Sequence, residues 1–388
     1  MFMLHPPWLR PHLRCSASYS GASIPHNTIK TLLDDRIPPF QRKLFVLGLG
    51  YTGVAAARYL QHLDWEVAGT CRRPSDVAML RDQGIQAFEY DSELDSEFSC
   101  VTCVPPCTPP PTLHSSACSA ALAQSPYVLV TVPPTPRGDD PILAAHRALL
   151  ADTLSLQLRW LGYLSSTSVY GDHGGRVVDE RSTCTPEEGS KGWARLRAEG
   201  QWTGLHESRH LPLHVFRLGG IYGPERSALD VAARGRQGAG GARRARQRYT
   251  ARVHVGDVCR VLAASMAHPS PGAVYNVVDD DPSPRGVVVR YARGLLGVPE
   301  DLGIQFAEPM ADEEQPTTDD VVEVPRLAEK RVSNTRIKQD LGVALAYPTF
   351  REGLEAIVRE EPEPFFYAGV EEDKVPPDYL SSPSFFSS

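Results

Sequence analysis

Four consecutive hydroxyl residues, Ser165, Ser166, Thr167 and Ser168, follow the apolar run "WLGYL" and lead into Tyr170-Gly171. At the end of a strand such a ledge can hold the oxygen of a reacting molecule, or it can satisfy backbone groups where the strand stops. A second chemical feature is "GLGYTG", which spaces Gly48-x-Gly50-x-x-Gly53 between the apolar run "KLFVL" and the helical pattern "VAAARYLQHL". Gly48 permits a tight turn, Gly50 lets backbone approach a diphosphate, and Gly53 lets a helix pack against a sheet. Tyr51 and Thr52, between the last two glycines, belong to the same nucleotide-binding loop, and the free N–H groups of the helix start favour an anion. Arg72 and Arg73 follow the next strand, 24 and 25 positions after Gly48. An acidic residue there would accept from a ribose 2′-hydroxyl; guanidinium groups instead match a 2′-phosphate, so NADP is expected over NAD. Asp91, just past the third strand, is an expected acceptor for the adenine amino group.

The elements that must position these residues alternate. Apolar runs at 43–50, 65–71 and 85–90 read as strands, separated by helical patterns at 54–63 and 77–84. The pattern resumes with a strand at 127–132, a helix at 141–154, a strand at 160–166, a helix near 187–206 and a strand at 211–220. This order predicts an α/β fold: a doubly wound parallel sheet with helices on both faces and a small C-terminal substrate lobe. The expected organisation is a leader over 1–40, a dinucleotide-binding domain over 41–217, the small lobe over 218–358 and a tail over 359–388. A Pro/Cys-rich excursion over 96–126 interrupts the second of these.

With 388 residues, 40 basic against 47 acidic, the chain carries a formal charge of −7 and no global field for nucleic acid or anionic lipid. No apolar run approaches the roughly 20 residues that would span a bilayer. The first thirty residues contain no Asp or Glu, carry Arg10, Arg14 and Lys30, and are Ser-rich, the composition of an organellar transit peptide. "LRCSA" at 13–17 resembles the cleavage region of chloroplast transit peptides, so the expected compartment is the plastid stroma. Cys100, Cys103, Cys107 and Cys118 lack a paired C-x-x-C repeat and sit in Pro-rich sequence, which speaks against zinc. "HESRH" at 206–210 matches H-E-x-x-H, but at a helix end ahead of Pro212, with His214 as an unpromising third ligand; no metal is expected. Seven arginines between 233 and 252 read as a solvated Gly-rich loop rather than an RNA-binding surface.

"FVLGLGYTG", "YLSSTSVYG", "VFRLGGIYGPERS", "ARVHVGDVCRVLAAS", "GAVYNVVDDDP" and "KRVSNTRIKQDLG" occur in an order that resembles extended short-chain dehydrogenase/reductases of the NAD-dependent epimerase/dehydratase group. The resemblance runs from about 43 to 358. It implies that Ser166 hydrogen-bonds the substrate oxygen and that a Tyr-x-x-x-Lys pair on the next helix moves the proton. Here the chain departs from the pattern: "GSKGWARLRAEGQW" puts Lys191 at the tyrosine position and Arg195 at the lysine position. Arginine stays protonated near neutrality, whereas a desolvated Lys191 beside Arg195 could donate a proton. The expectation is an atypical NADP(H)-binding reductase- or epimerase-like protein with Ser166, Lys191 and Arg195 at its catalytic centre. The alternative is a non-catalytic NADP(H)-bound sensor or assembly factor. The expected partners are a small-molecule substrate, anionic or nucleotide-linked, and a second copy of the chain as a homodimer.

Overall fold

The computed structural model describes residues 26–90, 116–150, 157–234, 247–298 and 328–359. Asp91, Cys100, Cys103, Cys107 and most of the arginine run lie outside them.

The chain opens with α1 (His26–Arg36), β1 (Lys43–Leu47), α2 (Tyr51–His62), β2 (Glu66–Cys71), α3 (Pro74–Asp82) and β3 (Gln86–Glu89). It continues with α4 (Ser116–Ala123), β4 (Tyr127–Val130), α5 (Pro141–Ala148), β5 (Trp160–Ser166), β6 (Val177–Val178) and α6 (Lys191–Arg209). Then come β7 (Leu213–Leu218), β8 (Gly220–Tyr222), α7 (Ala228–Arg234), β9 (Arg252–His254), α8 (Val255–Ala267) and β10 (Val274–Val277). The last elements are α9 (Arg285–Leu296), β11 (Arg331–Val332), α10 (Thr335–Asp340) and α11 (Phe350–Val358).

Seven strands form one sheet in the order β10-β7-β5-β4-β1-β2-β3, and every pairing in it is parallel. The chain starts at β1, winds outward to β3 and returns to build the other half from β4. The crevice at the C-terminal ends of β1 and β4, where the winding reverses, is where such sheets bind ligands. Strands such as β4 and β7 are buried at every position, as a sheet covered on both faces requires. One apolar cluster packs α1, α2, α3 and α8 on one face; a second packs α4, α5 and α6 on the other. The doubly wound sheet read from the alternating pattern is the observed fold.

Three boundaries differ from the sequence expectation. The leader was expected to run to residue 40, yet α1 buries Ile29 and Leu33, with Ile37 just after it, in the main core. Arg42 secures it, pairing with Asp34 at 2.8 Å and donating to the Ile37 carbonyl at 3.0 Å. The Pro/Cys excursion was expected over 96–126, but its last part is α4, which sets Cys118 and Leu122 into the second cluster. Burial pushes the Cys118 thiol up to about 12, as for an unreactive core cysteine. The small lobe is not continuous over 218–358, because α8 and β10 return to the main sheet. The lobe itself is α7, α9 and α11, closed around Tyr222, Leu229, Val288, Ala292, Phe350 and Leu354.

His214, on β7, is equally structural. Its Nε2 accepts from the Ser270 N–H at 2.8 Å and its Nδ1 lies 3.0 Å from the Pro212 carbonyl, which defines the neutral Nδ1–H tautomer. His206 lies within hydrogen-bond reach of the Leu211 carbonyl through Nδ1, and His210 caps the helix in the left-handed region at φ 56°. Among the described residues no group of three or more metal-ligating side chains forms. Burial pulls His214 down to about 4, against about 6.5 for an unfolded histidine. The neutral ring therefore contributes stability that is fully present above about pH 6.5 and is lost as pH falls toward 4. Urea midpoints measured across this window should fall with acid, and His214→Gln should make the fall shallower; an unchanged slope would mean that His214 titrates alike in both states.

Candidate functional site

The glycine loop connects β1 to α2 and is braced from both neighbouring strands. The Gly48 N–H donates to Thr70 Oγ1 at 3.1 Å, and Thr131 Oγ1 donates to the Gly48 carbonyl. Gly48 holds φ +104°, and a Cβ there would meet Thr131 Oγ1 at 2.5 Å. A Cβ at Gly53 would lie 2.3 Å from the Gly48 carbonyl oxygen, so only glycine lets α2 pack this close. Gly50 is different. It is the N-cap of α2 with φ −87°, no side chain caps the helix, and a Cβ there would meet nothing within 4 Å. The space beside Gly50, at the helix start, is thus open.

That space is a cleft of about 2400 Å³ at the C-terminal edge of the sheet. Gly48, Gly50, Tyr51, Arg72, Arg73, Ser166 and Arg195 all line it. Tyr51 donates to the Pro224 carbonyl at 3.1 Å, with Arg226 over its ring at 5.3 Å. Both Arg72 and Arg73 are exposed, and Arg73 pairs with Asp76 at 2.9 Å. Thr52 does not line the cleft; it is buried one step round the helix. Nine cationic side chains against four carboxylates line this cleft, in a chain whose formal charge is −7. The wall thus carries an excess of positive charge.

Ser166 ends β5, and a 3-10 turn over Thr167–Tyr170 follows. Ser166 Oγ accepts from the Ser168 N–H at 3.2 Å and from Ser168 Oγ at 3.0 Å. With both lone pairs engaged, its own O–H remains to donate into the cleft. Ser165, also at the cleft, donates to Glu199 Oε1 on α6.

The structure separates the two helical residues expected beside Ser166. Lys191 is the first residue of α6; it is exposed and absent from the cleft wall, so the burial expected of it beside Arg195 is missing. Arg195 lines the cleft, but its Nη1 donates to the Leu164 carbonyl at 2.8 Å, tying the helix to β5. Gly192 explains why the helix start cannot shift inward: a Cβ there would meet the Ser168 carbonyl oxygen at 2.3 Å.

Sequence reasoning missed the support behind the ledge. Arg217 on β7 holds Glu199 through Nη2–Oε2 at 2.8 Å, with both side chains under 10% exposed (8% and 6%). Arg217 Nη1 also donates to Tyr170 Oη at 3.0 Å, and Tyr170 donates to Asn276 Oδ1 at 2.7 Å. Burial alone would lower the Arg217 pKa, but the Glu199 carboxylate outweighs it and holds the guanidinium above its ordinary value. Burial likewise pushes Tyr170 up to about 12, so this tyrosine is a hydrogen-bonded strut and not an acid near neutrality. Lys330 was also missed; it lines the cleft and donates to the Gly171 carbonyl at 3.0 Å. It stood in the quoted "KRVSN" block, where nothing local marks a lysine as facing a cleft.

This sheet order and glycine turn define a doubly wound, Rossmann-type α/β fold. No protein-family model matches the chain. A conserved protein from Silicibacter pomeroyi described as functionally unknown is 36% identical, with 82% of this chain and 98% of that chain covered and a TM-score of 0.61. The chain belongs to the family of that conserved protein. Protein YeeZ of Escherichia coli K12 is 26% identical over 260 residues, spanning 66% of this chain and 85% of YeeZ. The fold is also that of dTDP-glucose 4,6-dehydratase from Bacillus anthracis (TM-score 0.58, 15% identity, 84% of this chain and 98% of that chain). UDP-glucose 4-epimerase from Thermotoga maritima matches likewise (TM-score 0.58, 16% identity, 82% and 97%).

Truncating one partner of a buried ion pair leaves an uncompensated charge, which costs about 3–5 kcal/mol. Glu199→Ala should therefore lower the unfolding free energy by about that amount in urea titrations; a loss below about 1 kcal/mol would show that Arg217 finds solvent.

Proposed function

We propose that the chain binds NADP(H) in this cleft and acts as a reductase- or epimerase-like member of the extended short-chain dehydrogenase/reductase architecture. The observation that carries the reading is the open space in front of Gly50, at an uncapped helix start, with the free O–H of Ser166 in the same cleft. Those residues fit a dinucleotide: the α2 amides would hold the diphosphate, and Arg72, with Arg73 and Arg58 beside it, would hold a 2′-phosphate. The dehydratase structure from B. anthracis was determined in complex with NAD, so a dinucleotide on this fold has a precedent.

A nicotinamide bound there would supply or accept a hydride at carbon. Ser166 donates its O–H to the substrate oxygen, and Ser168 keeps that hydroxyl aimed by occupying its lone pairs. Arg195 holds the end of β5 against α6 and keeps positive charge beside the developing oxyanion. The proton comes from water reaching the cleft, because Lys191 faces away from it.

That same placement of Lys191 favours a second reading, an NADP(H)-bound sensor or assembly factor that does not turn over. NADPH oxidation with a panel of carbonyl compounds separates the two: turnover lost in Ser166→Ala supports the enzyme, and tight binding without turnover supports the sensor. The acid-poor segment ahead of α1 is proposed to direct the protein to the plastid stroma; residues 1–25 fused to a fluorescent protein should carry it there, and a cytosolic signal would end that proposal. A homodimer remains part of the proposal and is read by light scattering.

Gly50→Ala should leave urea stability within about 0.5 kcal/mol, since its Cβ meets nothing and its φ is ordinary, yet weaken NADPH at least about tenfold by filling the diphosphate's approach. Equal NADPH affinity by calorimetry would place the dinucleotide elsewhere. Arg72→Ala combined with Arg73→Ala should cost about tenfold or more for NADPH and little for NADH. A wild type that prefers NADH would overturn the role of both arginines.

A further inference from the structure

A dinucleotide accounts for only one end of the cleft. Arg58, Arg72 and Arg73 stand at the β2 end, while Tyr249, Thr250, Arg252, Arg285 and Lys330 line the other. Of the cations away from the β2 end, Arg195 is committed to the Leu164 carbonyl. Arg252 donates from Nη1 to the Asp281 carbonyl at 2.8 Å and from Nη2 to the Ser283 carbonyl. Both are fixed by the fold.

Lys330 is placed differently. It is half-buried, and among the described residues its Nζ makes one hydrogen bond, to the Gly171 carbonyl, of the three an ammonium can donate. The carboxylates beside it are occupied by backbone: Asp172 Oδ1 accepts from the Gly174 and Glu329 N–H groups at 3.0 and 2.9 Å. Glu329 accepts from the Arg248 and Tyr249 N–H groups at 3.0 and 3.3 Å. Burial holds the Lys330 pKa below the ordinary lysine value, with Asp172 and Glu329 opposing it. Gly171, at φ 71° and ψ −144°, has a backbone open essentially to glycine alone, and this conformation sets where its carbonyl points. Ser166 precedes, and Gly171 follows, the same four-residue 3-10 turn, about 8 Å long at about 2 Å per residue. An ammonium and a hydroxyl donor thus stand at the two ends of one short turn in one cleft.

We propose that Lys330 anchors an anionic substituent, a carboxylate or a phosphate, of the substrate whose reacting oxygen rests on Ser166. The substrate class is then an anionic carbonyl or hydroxyl compound small enough to span one turn. The assignment rests on the dinucleotide reading above, and Lys330 sets specificity rather than moving the proton.

The test uses the full chain, wild type, Lys330→Gln and Lys330→Arg, each with and without saturating NADPH. Inorganic phosphate and acetate are titrated separately against chloride at equal ionic strength, with thermal stability as the readout. Phosphate bound at the diphosphate position is common to all three proteins and cancels in the comparison. The expected result is an apparent affinity for phosphate or acetate about tenfold weaker in Lys330→Gln than in wild type, largely restored in Lys330→Arg. A deficit confined to phosphate assigns a phosphate-bearing substrate; a deficit with acetate assigns a carboxylate. Identical anion responses in wild type and Lys330→Gln overturn the proposal. NADPH affinity measured on the same samples reports the fold of the variants. Wild type that binds no dinucleotide ends the dinucleotide reading, while the wild-type-to-variant difference in anion response still decides the role of Lys330.

Discussion

One buried charge pair holds the chemical edge of this sheet together. Glu199 reaches from α6 and Arg217 from β7, where it pairs in register with Ser165 of β5. Neither charge can be left alone in a low dielectric, so the helix and the two strands must keep one relative placement. Two more hydrogen bonds spread that constraint, through Ser165 to the end of β5 and through Tyr170 to the turn that follows it. Ser166 sits between those two attachments. The network thus holds the backbone on both sides of Ser166, while Ser168 engages its hydroxyl.

The glycine turn uses a different device, close packing without charge. Gly48 and Gly53 approach each other so tightly that backbone takes the place of side chain, and Thr70 and Thr131 brace the turn from both sides. The two glycines make the turn; Gly50 leaves it empty. The cleft therefore joins a rigid apolar corner to a rigid polar ledge, with the excess positive charge lying along its wall.

Lys191 and Arg195, which the resemblance sets at the positions of a tyrosine and a lysine, are placed apart by this arrangement. Arg195 still reaches the cleft, yet its guanidinium also fastens α6 to β5. Lys191 projects from the first turn into solvent, because Gly192 is pressed against the Ser168 carbonyl and fixes which way the helix start faces. A proton donor at that position is absent from the described cleft wall.

What the residues alone determined were features governed by local sterics and periodicity. The glycine spacing, the alternation of strand and helix, the doubly wound sheet and the hydroxyl ledge all follow from short-range backbone preferences and from which faces are apolar. Even α1 had its signal in Ile29, Leu33 and Ile37, at helical spacing, although the acid-poor composition around it pointed to a leader. Tertiary structure decided the rest. Whether Lys191 faces a cleft or solvent depends on the rotation of a helix against a turn, which no local pattern encodes. Glu199 and Arg217 are 18 residues apart, and Gly171 and Lys330 are 159 apart. Long polar side chains like these find their partners only when the sheet brings distant segments within about 3 Å, so their roles are properties of the fold and not of the neighbouring sequence.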